Sequence, residues 1–327
     1  MFNITPDQGI GGEMKNQITS NILMIRPVNF NFNEETATNN YYQKVIEDIT
    51  PERAQEQALK EFDTFVEKLR SHGINIIVIE DTPEPYTPDS VFPNNWISFH
   101  EDGLVGLYPM FATSRRGERR PDILNQLASG FEVFDIIDLT EFEASSQYLE
   151  GTGSMILDRP NKIAYAALSE RTHAPVLEQF CEKFDYTSIG FLANQTVDGL
   201  RVPIYHTNVM MCVAENFAII CTESLDNEAE KERVFSSLIN TGKEIIEITE
   251  EQVNSFAGNM LQVCNKEGNK YLIMSSSAYH SLGKDQIKKI ENYCPIIHSS
   301  LDMIEACGGG SARCMMAEVF LQPKQTK

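Results

Sequence analysis

Residues 209–249 read VMMCVAENFAIIC, TESLD, NEAEKERVFSSLIN, TG, KEIIEIT, and this stretch decides the fold. VMMCVAENFAIIC (209–221) is two apolar runs around a turn at Glu215-Asn216, the pattern of a β-hairpin. NEAEKERVFSSLIN (227–240) has helical spacing, and KEIIEIT (243–249) is a further strand. The same order recurs along the chain. WISFHEDGLVGLY (96–108) turns at Glu101-Asp102-Gly103, PDILNQLAS (121–129) is helical with Pro121 in its first turn, and FEVFDIIDL (131–139) reads as a buried strand. SMILDRPNKIAYAAL (154–168), PVLEQFCEKF (175–184) and YTSIGF (186–191) repeat it, as do MLQVCNKEGNKYLIM (260–274), KDQIKKIENY (284–293) and CPIIHS (294–299). Strand centres near Ile136, Ile189, Ile246 and Ile296 are spaced by 53, 57 and 50 residues. Such a period marks supersecondary modules that stack or close on one another.

The two ends supply a fifth module. ILMIRPV (22–28) and CMMAEVFL (314–321) are strands without local partners, PERAQEQALKEFDTFVEKLRSHG (51–73) is a helix ending at a glycine, and INIIVIE (74–80) follows it. Pairing the last strand with the first removes exposed sheet edges. The expected fold is therefore α/β: a pseudo-symmetric ring of five ββαβ modules, closed by pairing of its terminal strands. Residues 21–327 form a single domain on this reading, and residues 1–20 a loose, polar arm. Two doubly wound α/β halves are the alternative, but these would not require a hairpin in every unit.

The chain has 327 residues, with Lys+Arg 27 against Asp+Glu 47, a formal charge of −20. Nucleic-acid binding needs a basic face, so the balance argues against it, and against an anionic membrane surface. The first twenty residues lack the basic and apolar blocks of a signal peptide, and no apolar run reaches about 18 residues. Seven cysteines (181, 212, 221, 264, 294, 307, 314) without CxxC pairs fit reduced thiols, and a cytoplasmic protein is expected. Six histidines (72, 100, 173, 206, 280, 298) show no HExxH spacing, GTGSM places no serine at a nucleophile elbow, and GTGSMI lacks the third glycine of a dinucleotide fingerprint.

In a ring of equivalent modules the segment leading into each hairpin arrives near the axis. Those segments carry Asp89, Asn94 and Asn95 (PDSVFPNNW), Glu150 (LEGTGS), His206 and Asn208 (YHTN), Asn259 (AGNM) and Cys314 (GGGSARC). Cysteine, histidine and carboxylate at matched positions are the parts of nucleophilic catalysis. Singly, each has a plain alternative: a cysteine before an apolar strand is usually core, a lone histidine usually surface or a satisfied core residue. Gly308-Gly309-Gly310 strengthens the functional reading, because glycines allow close backbone approach.

These residues resemble the guanidino-group modifying enzyme superfamily: arginine deiminases, dimethylarginine dimethylaminohydrolases and amidinotransferases. PDSVF (88–92), SRRGE (114–118), LEGTG (149–153), LSERT (168–172), YHTNV and GGGSARCM (308–315) carry the resemblance, which spans nearly the whole chain. It implies a five-bladed α/β propeller in which Cys314 attacks the substrate's central carbon, His206 is general acid and base, and Glu150 holds the imidazole or a reacting group. Arg116 and Arg171 resemble arginines that bind a substrate α-carboxylate. Arg115, Arg119 and Arg120 read equally well as a solvated basic cluster. No metal or organic cofactor is implied; the partner is a small amino acid, and a homodimer stays open.

The departures point to the substrate. Asn94, Asn95 and Asn208 stand where guanidinium-binding relatives carry acids, and Gly153 replaces the second acid of a Glu-Gly-Gly-Asp run. An amide serves both the carbonyl and the N–H groups of a ureido group, whereas a guanidinium offers only donors. The expected activity is therefore that of a citrulline ureidase: hydrolysis of L-citrulline to ornithine, CO₂ and ammonia through an S-carbamoyl-cysteine, with Asp89, Asn94, Asn95 and Asn208 binding the ureido group. The alternatives are an arginine deiminase or methylarginine hydrolase, and a non-catalytic binding propeller.

Overall fold

The structure, a computed structural model, describes residues 16–46 and 49–324. It is a mixed α/β fold. Among the described residues there are five three-stranded sheets of one design: two antiparallel strands, then a third parallel to the middle one. In chain order the later four are Ile97–Phe99, Leu104–Leu107 and Asp135–Asp138; Ile156–Asp158, Ile163–Ala167 and Thr187–Phe191; Met211–Val213, Phe217–Cys221 and Glu244–Ile248; Leu261–Cys264, Lys270–Ser275 and Ile296–Ser299. In the first sheet Asn21–Arg26 runs parallel to Asn75–Glu80 and antiparallel to Ala317–Glu318, with Ile22 opposite Glu318 and Leu23 opposite Ala317.

Each middle strand leads through a helix to its parallel neighbour, as the periodic patterns predict. The longest helix, Pro51–Ser71, starts where Thr50 accepts a hydrogen bond from the Arg53 N–H and Pro51 fills the first turn. Ala54, Ala58, Phe62, Phe65 and Leu69 form its buried face, and each of the larger ones contributes about 1.5–3 kcal/mol of burial.

The core is divided among the seams between sheets. Leu23, Ile25 and Ile79 pack with Ile97, Phe99 and Val105 between the first and second sheets. Tyr108 and Leu139 pack with Leu157, Ala164 and Ala166 between the second and third. A larger cluster runs from Tyr165 through Ile219 to Leu272 across the third, fourth and fifth, and Ile22 and Met24 meet Val263 and Ile273 between the fifth and the first.

Four sequence expectations change. FEVFDIIDL is a strand only at Asp135–Asp138, and it lies at the edge of its sheet largely exposed, with Phe134 just before it 86% accessible. CMMAEVFL pairs only at Ala317–Glu318; Cys314 lies in the turn before it. The hairpin of Asn194–Val197 with Leu200–Pro203 was not anticipated, although Asp198-Gly199 takes positive φ at both turn positions, as a tight hairpin requires. Finally, residues 1–15 of the expected arm lie outside the described residues, while Gln17, Ile18 and Thr19 are buried. The buried Gln17 donates to the carbonyls of Leu157 and Val213 and accepts from the Arg159 N–H, fastening the third sheet to the fourth.

Replacing Gln17 with Ala strands two buried carbonyls and one N–H. Urea unfolding should show a loss of about 2 kcal/mol or more, whereas a solvated arm would show none.

Candidate active site

A helical turn precedes the first strand of each sheet, and these turns gather the polar side chains. Pro93–Asn95, Gly151–Ser154 and Thr207–Val209 are short helices; residues 254–258 and 312–315 are turns. Close backbone approach makes the gathering possible. Gly151 has φ +47°, and a Cβ there would stand 3.0 Å from the Asn95 carbonyl oxygen and nearer still to that of Asn94. Gly308 and Gly310 lie flat on the Phe92 ring, where added Cβ atoms would come within 2.8 Å of ring carbons.

Glu150, His206 and Cys314 come together at one narrow pocket. His206 and Cys314 line it with Asp89, Asn95, Arg115 and Arg171, and Glu150 stands behind His206. Glu150 is fully buried; its Oε2 accepts from His206 Nε2 at 2.7 Å and lies 3.6 Å from Arg171 Nη1, while Oε1 accepts from the Phe111 N–H. Burial alone would raise this carboxyl, but Arg171, the His206 bond and Arg115 outweigh it and hold it at about 2. Burial also pushes His206 down to about 4, against the pull of Glu150. The imidazole is thus neutral near pH 7, with Nε2 committed to Glu150 and the Nδ1 lone pair available. Gly153 keeps Nδ1 clear: a Cβ there would stand 2.8 Å from Nδ1 and would strike the Asn95 amide. The missing acid of the LEGTG motif therefore has a steric cause.

The Cys314 sulfur is 3.2 Å from Asn208 Nδ2 and 3.2 Å from Asn259 Nδ2, both donors. Asp89 Oδ2 accepts from Asn33 Nδ2 at 2.8 Å and from the Thr36 hydroxyl, and Oδ1 is buried without a hydrogen-bond partner. Burial raises Asp89 above the usual carboxylate range against opposition from Arg115, 4.0 Å away. Arg171 is held by Asn39 Oδ1 and the Thr36 carbonyl, with the Tyr205 ring 4.8 Å from its guanidinium carbon.

Other predicted residues are placed differently. Arg116 is 30% exposed and turned to the Met110 carbonyl and Glu143, outside the cavity. Its neighbour Arg115 is the buried one, bidentate to Glu118 at 2.8 and 2.9 Å. A 3₁₀ helix over Thr113–Glu118 turns the two arginines to opposite sides, a choice that sequence spacing does not encode. Arg119 and Arg120 are no solvated cluster either: they pair with Glu143 and with Asp81 and Asp122. Asn94 and Asn95 are buried but engaged. Asn94 donates to Thr152, and Asn95 donates to Asn94 and accepts from Arg115 Nη1 at 2.6 Å.

Sequence reading missed Asn33, Thr36, Asn39 and Asn40, which cover the cavity from the strap over residues 28–46, and also Arg115, Glu118 and Tyr205 as site residues. The asparagine-dense run NFNFNEETATNNYY (29–42) was the available signal. Burial raises Glu118 to about 7 against its Arg115 partner.

The sequence model described as N,N dimethylarginine dimethylhydrolase, eukaryotic, matches residues 26–321. No curated protein matches the chain. Among solved structures, the product-bound N-terminal domain of ArgZ, an arginine dihydrolase from the ornithine-ammonia cycle in cyanobacteria, is similar with a TM-score of 0.68 and 19% identity, covering 91% of this chain and 97% of that one. Apo ArgZ gives 0.71 and 18%, covering 93% of this chain and 41% of its own, so the present chain spans less than half of that protein. A dimethylarginine dimethylaminohydrolase variant in adduct with S-methyl-L-thiocitrulline gives 0.59 and 15%, with 92% and 99% covered. At these identities the likeness is one of fold.

The depressed His206 has a measurable consequence. Its native value of about 4 lies below the ordinary 6.5, so between those values the unfolded chain binds a proton that the native state refuses. This stability is full above pH 6.5 and declines as pH falls toward 4; the part due to Glu150 persists above 4.5 and is lost only toward pH 2. Unfolding of wild type and His206→Asn from pH 7 to 4.5 should show wild type losing on the order of 2 kcal/mol more than the variant.

Proposed function

The chain belongs to the N,N dimethylarginine dimethylhydrolase family, enzymes that hydrolyse C–N bonds, and on that premise we propose a cysteine-dependent hydrolase acting on the guanidino group of an arginine-type amino acid. The observation that carries this reading is the unpartnered Asp89 Oδ1 inside the buried cluster. Asp89, Glu118 and Glu150 share this cluster with the guanidiniums of Arg115 and Arg171, and burial raises both Asp89 and Glu118, so the cluster holds its carboxylates as anions only against that penalty. A buried acceptor in a cluster short of positive charge suits a ligand that brings N–H donors and a cation together. The amides that favoured a ureido ligand at first reading are largely spent on the protein: Asn94 on Thr152, Asn95 on Asn94 and Arg115, and Asn208 on the sulfur.

In this reading Cys314 attacks the central guanidino carbon, and the thiol proton leaves with departing ammonia by way of His206. Water then adds to the S-linked amidino carbon. One of its protons passes to His206 and one to the sulfur, which leaves as the carbon–oxygen double bond forms. Glu150 fixes the imidazole so that Nδ1 is the working nitrogen. Asp89 receives guanidino N–H groups, and Arg171 or Arg115 receives the α-carboxylate. The five sheets with their cyclic seams are read as blades of an α/β propeller, one catalytic domain over residues 21–327.

Hydrolysis of a neutral ureido group is the second reading. Asn95 lines the cavity, and its Nδ2 carries a second N–H beyond the one given to Asn94, a donor suited to a ureido oxygen. One assay separates the two. Purified protein given arginine should release ammonia and form citrulline or ornithine, and Cys314→Ala should abolish turnover. Ornithine from citrulline with no action on arginine or methylarginines would overturn the guanidino reading in favour of the ureidase. Inertness toward all of them would leave a binding protein.

A further inference from the structure

Two side-chain amides converge on the Cys314 sulfur, and they come from different sheets. Asn208 lies two residues beyond His206 and belongs to the site already described. Asn259 arrives from the turn before the fifth sheet, and the proposed reaction gives it no role.

Both polar ends of the Asn259 side chain are occupied, by the sulfur and by the backbone beside Cys314 and His206. Nδ2 donates to Cys314 Sγ at 3.2 Å and to the Asn208 carbonyl at 3.0 Å; Oδ1 accepts from the Arg313 N–H at 2.9 Å. The side chain is 1% exposed. One amide thus ties the residue before the nucleophile to the segment that carries His206.

The turn that delivers it is held under constraint. Phe256 adopts φ +62°, a left-handed conformation that a bulky side chain rarely takes, and its ring is braced 5.7 Å from that of Tyr42. Gly258 presses on the next segment so closely that a Cβ would lie 2.7 Å from the Met210 carbonyl carbon. Strain of this kind persists where surrounding structure fixes a functional group in place.

We propose that Asn259 is a positioning residue for the nucleophile: with Asn208 it forms a two-donor cradle that stabilises the Cys314 sulfur as the anion and aims it into the cavity. The other charged or titratable groups around that cavity are His206, Tyr205, Asp89, Arg115 and Arg171. Each has a different first partner: Glu150 for His206, the Gly309 carbonyl for Tyr205, Asn33 for Asp89, Glu118 for Arg115 and Asn39 for Arg171. The sulfur's donors are the two amides. Hydrogen bonds to an ionised acceptor are the stronger kind, so the cradle favours the thiolate over the thiol.

The inference rests on Cys314 being the nucleophile, and the test does not need the substrate. Thiolate absorbance near 240 nm is titrated in the full chain and referenced to Cys314→Ser in the same background, for wild type, Asn259→Ala and Asn259→Asp. Asn259→Asp keeps an acceptor for the Arg313 N–H but replaces the donor with a second anion beside the sulfur. Asn259→Ala should move the Cys314 midpoint up by about one pH unit, a roughly ten-fold loss of thiolate at fixed pH, and Asn259→Asp should move it further in the same direction. Asn259→Ser, which retains a shorter donor, should fall between wild type and Asn259→Ala and stands in if Asn259→Ala does not fold. An unchanged midpoint in the folded variants overturns the cradle, even where turnover falls. A shifted midpoint with no turnover of arginine or methylarginines by wild type supports the cradle and removes the proposed function instead.

Discussion

An anionic carboxylate with no access to water is stable only among groups that replace its hydration, and Glu150 is such a carboxylate. Its partners come from three places: His206 from the turn before the fourth sheet, Arg171 from the loop after the middle strand of the third, and the Phe111 N–H from the loop after the middle strand of the second. Each partner is in turn held. Arg171 is satisfied by the Asn39 amide and the Thr36 carbonyl of the strap, neutral acceptors that complete a guanidinium without cancelling its charge. The strap is therefore part of the electrostatics as well as the cover. Opening it would leave Arg171 and Asp89 short of partners together, since Asn33 and Thr36 also serve Asp89.

The same bookkeeping explains the unusual number of asparagines around the sulfur. Each can give a hydrogen bond at one end and take one at the other without adding charge to a cluster that already holds three carboxylates and two guanidiniums. Asn94 and Asn95 brace the second sheet's entry turn against Thr152 and Arg115, and Asn259 braces the fifth sheet's turn against Arg313. Polar residues at matched positions need not all face the ligand; some hold the others still.

Modular order was readable because hairpin, helix and strand differ in period, and the period repeats four times within the chain. The convergence of Glu150, His206 and Cys314 was readable for the same reason: equivalent entry segments carry them. What sequence could not supply was direction. Arg115 and Arg116 are neighbours, and only the 3₁₀ turn decides which is buried against Glu118. Asn95 is chemically able to hold a ureido group, but a packed neighbour uses it first, and that neighbour is distant in sequence. The strap residues were missed because residues 28–46 have neither period, and their contacts with Asp89, Arg171 and Gly309 are all long-range.

The pairing of Asn21–Arg26 with Ala317–Glu318 joins the first described strand to the last. During synthesis, the first sheet waits for its third strand until every other sheet's strands have been made. Cys314 is made three residues before that strand. The sulfur thus meets His206 and Glu150 only after the segments that carry them, and a chain cut before residue 314 lacks that meeting altogether.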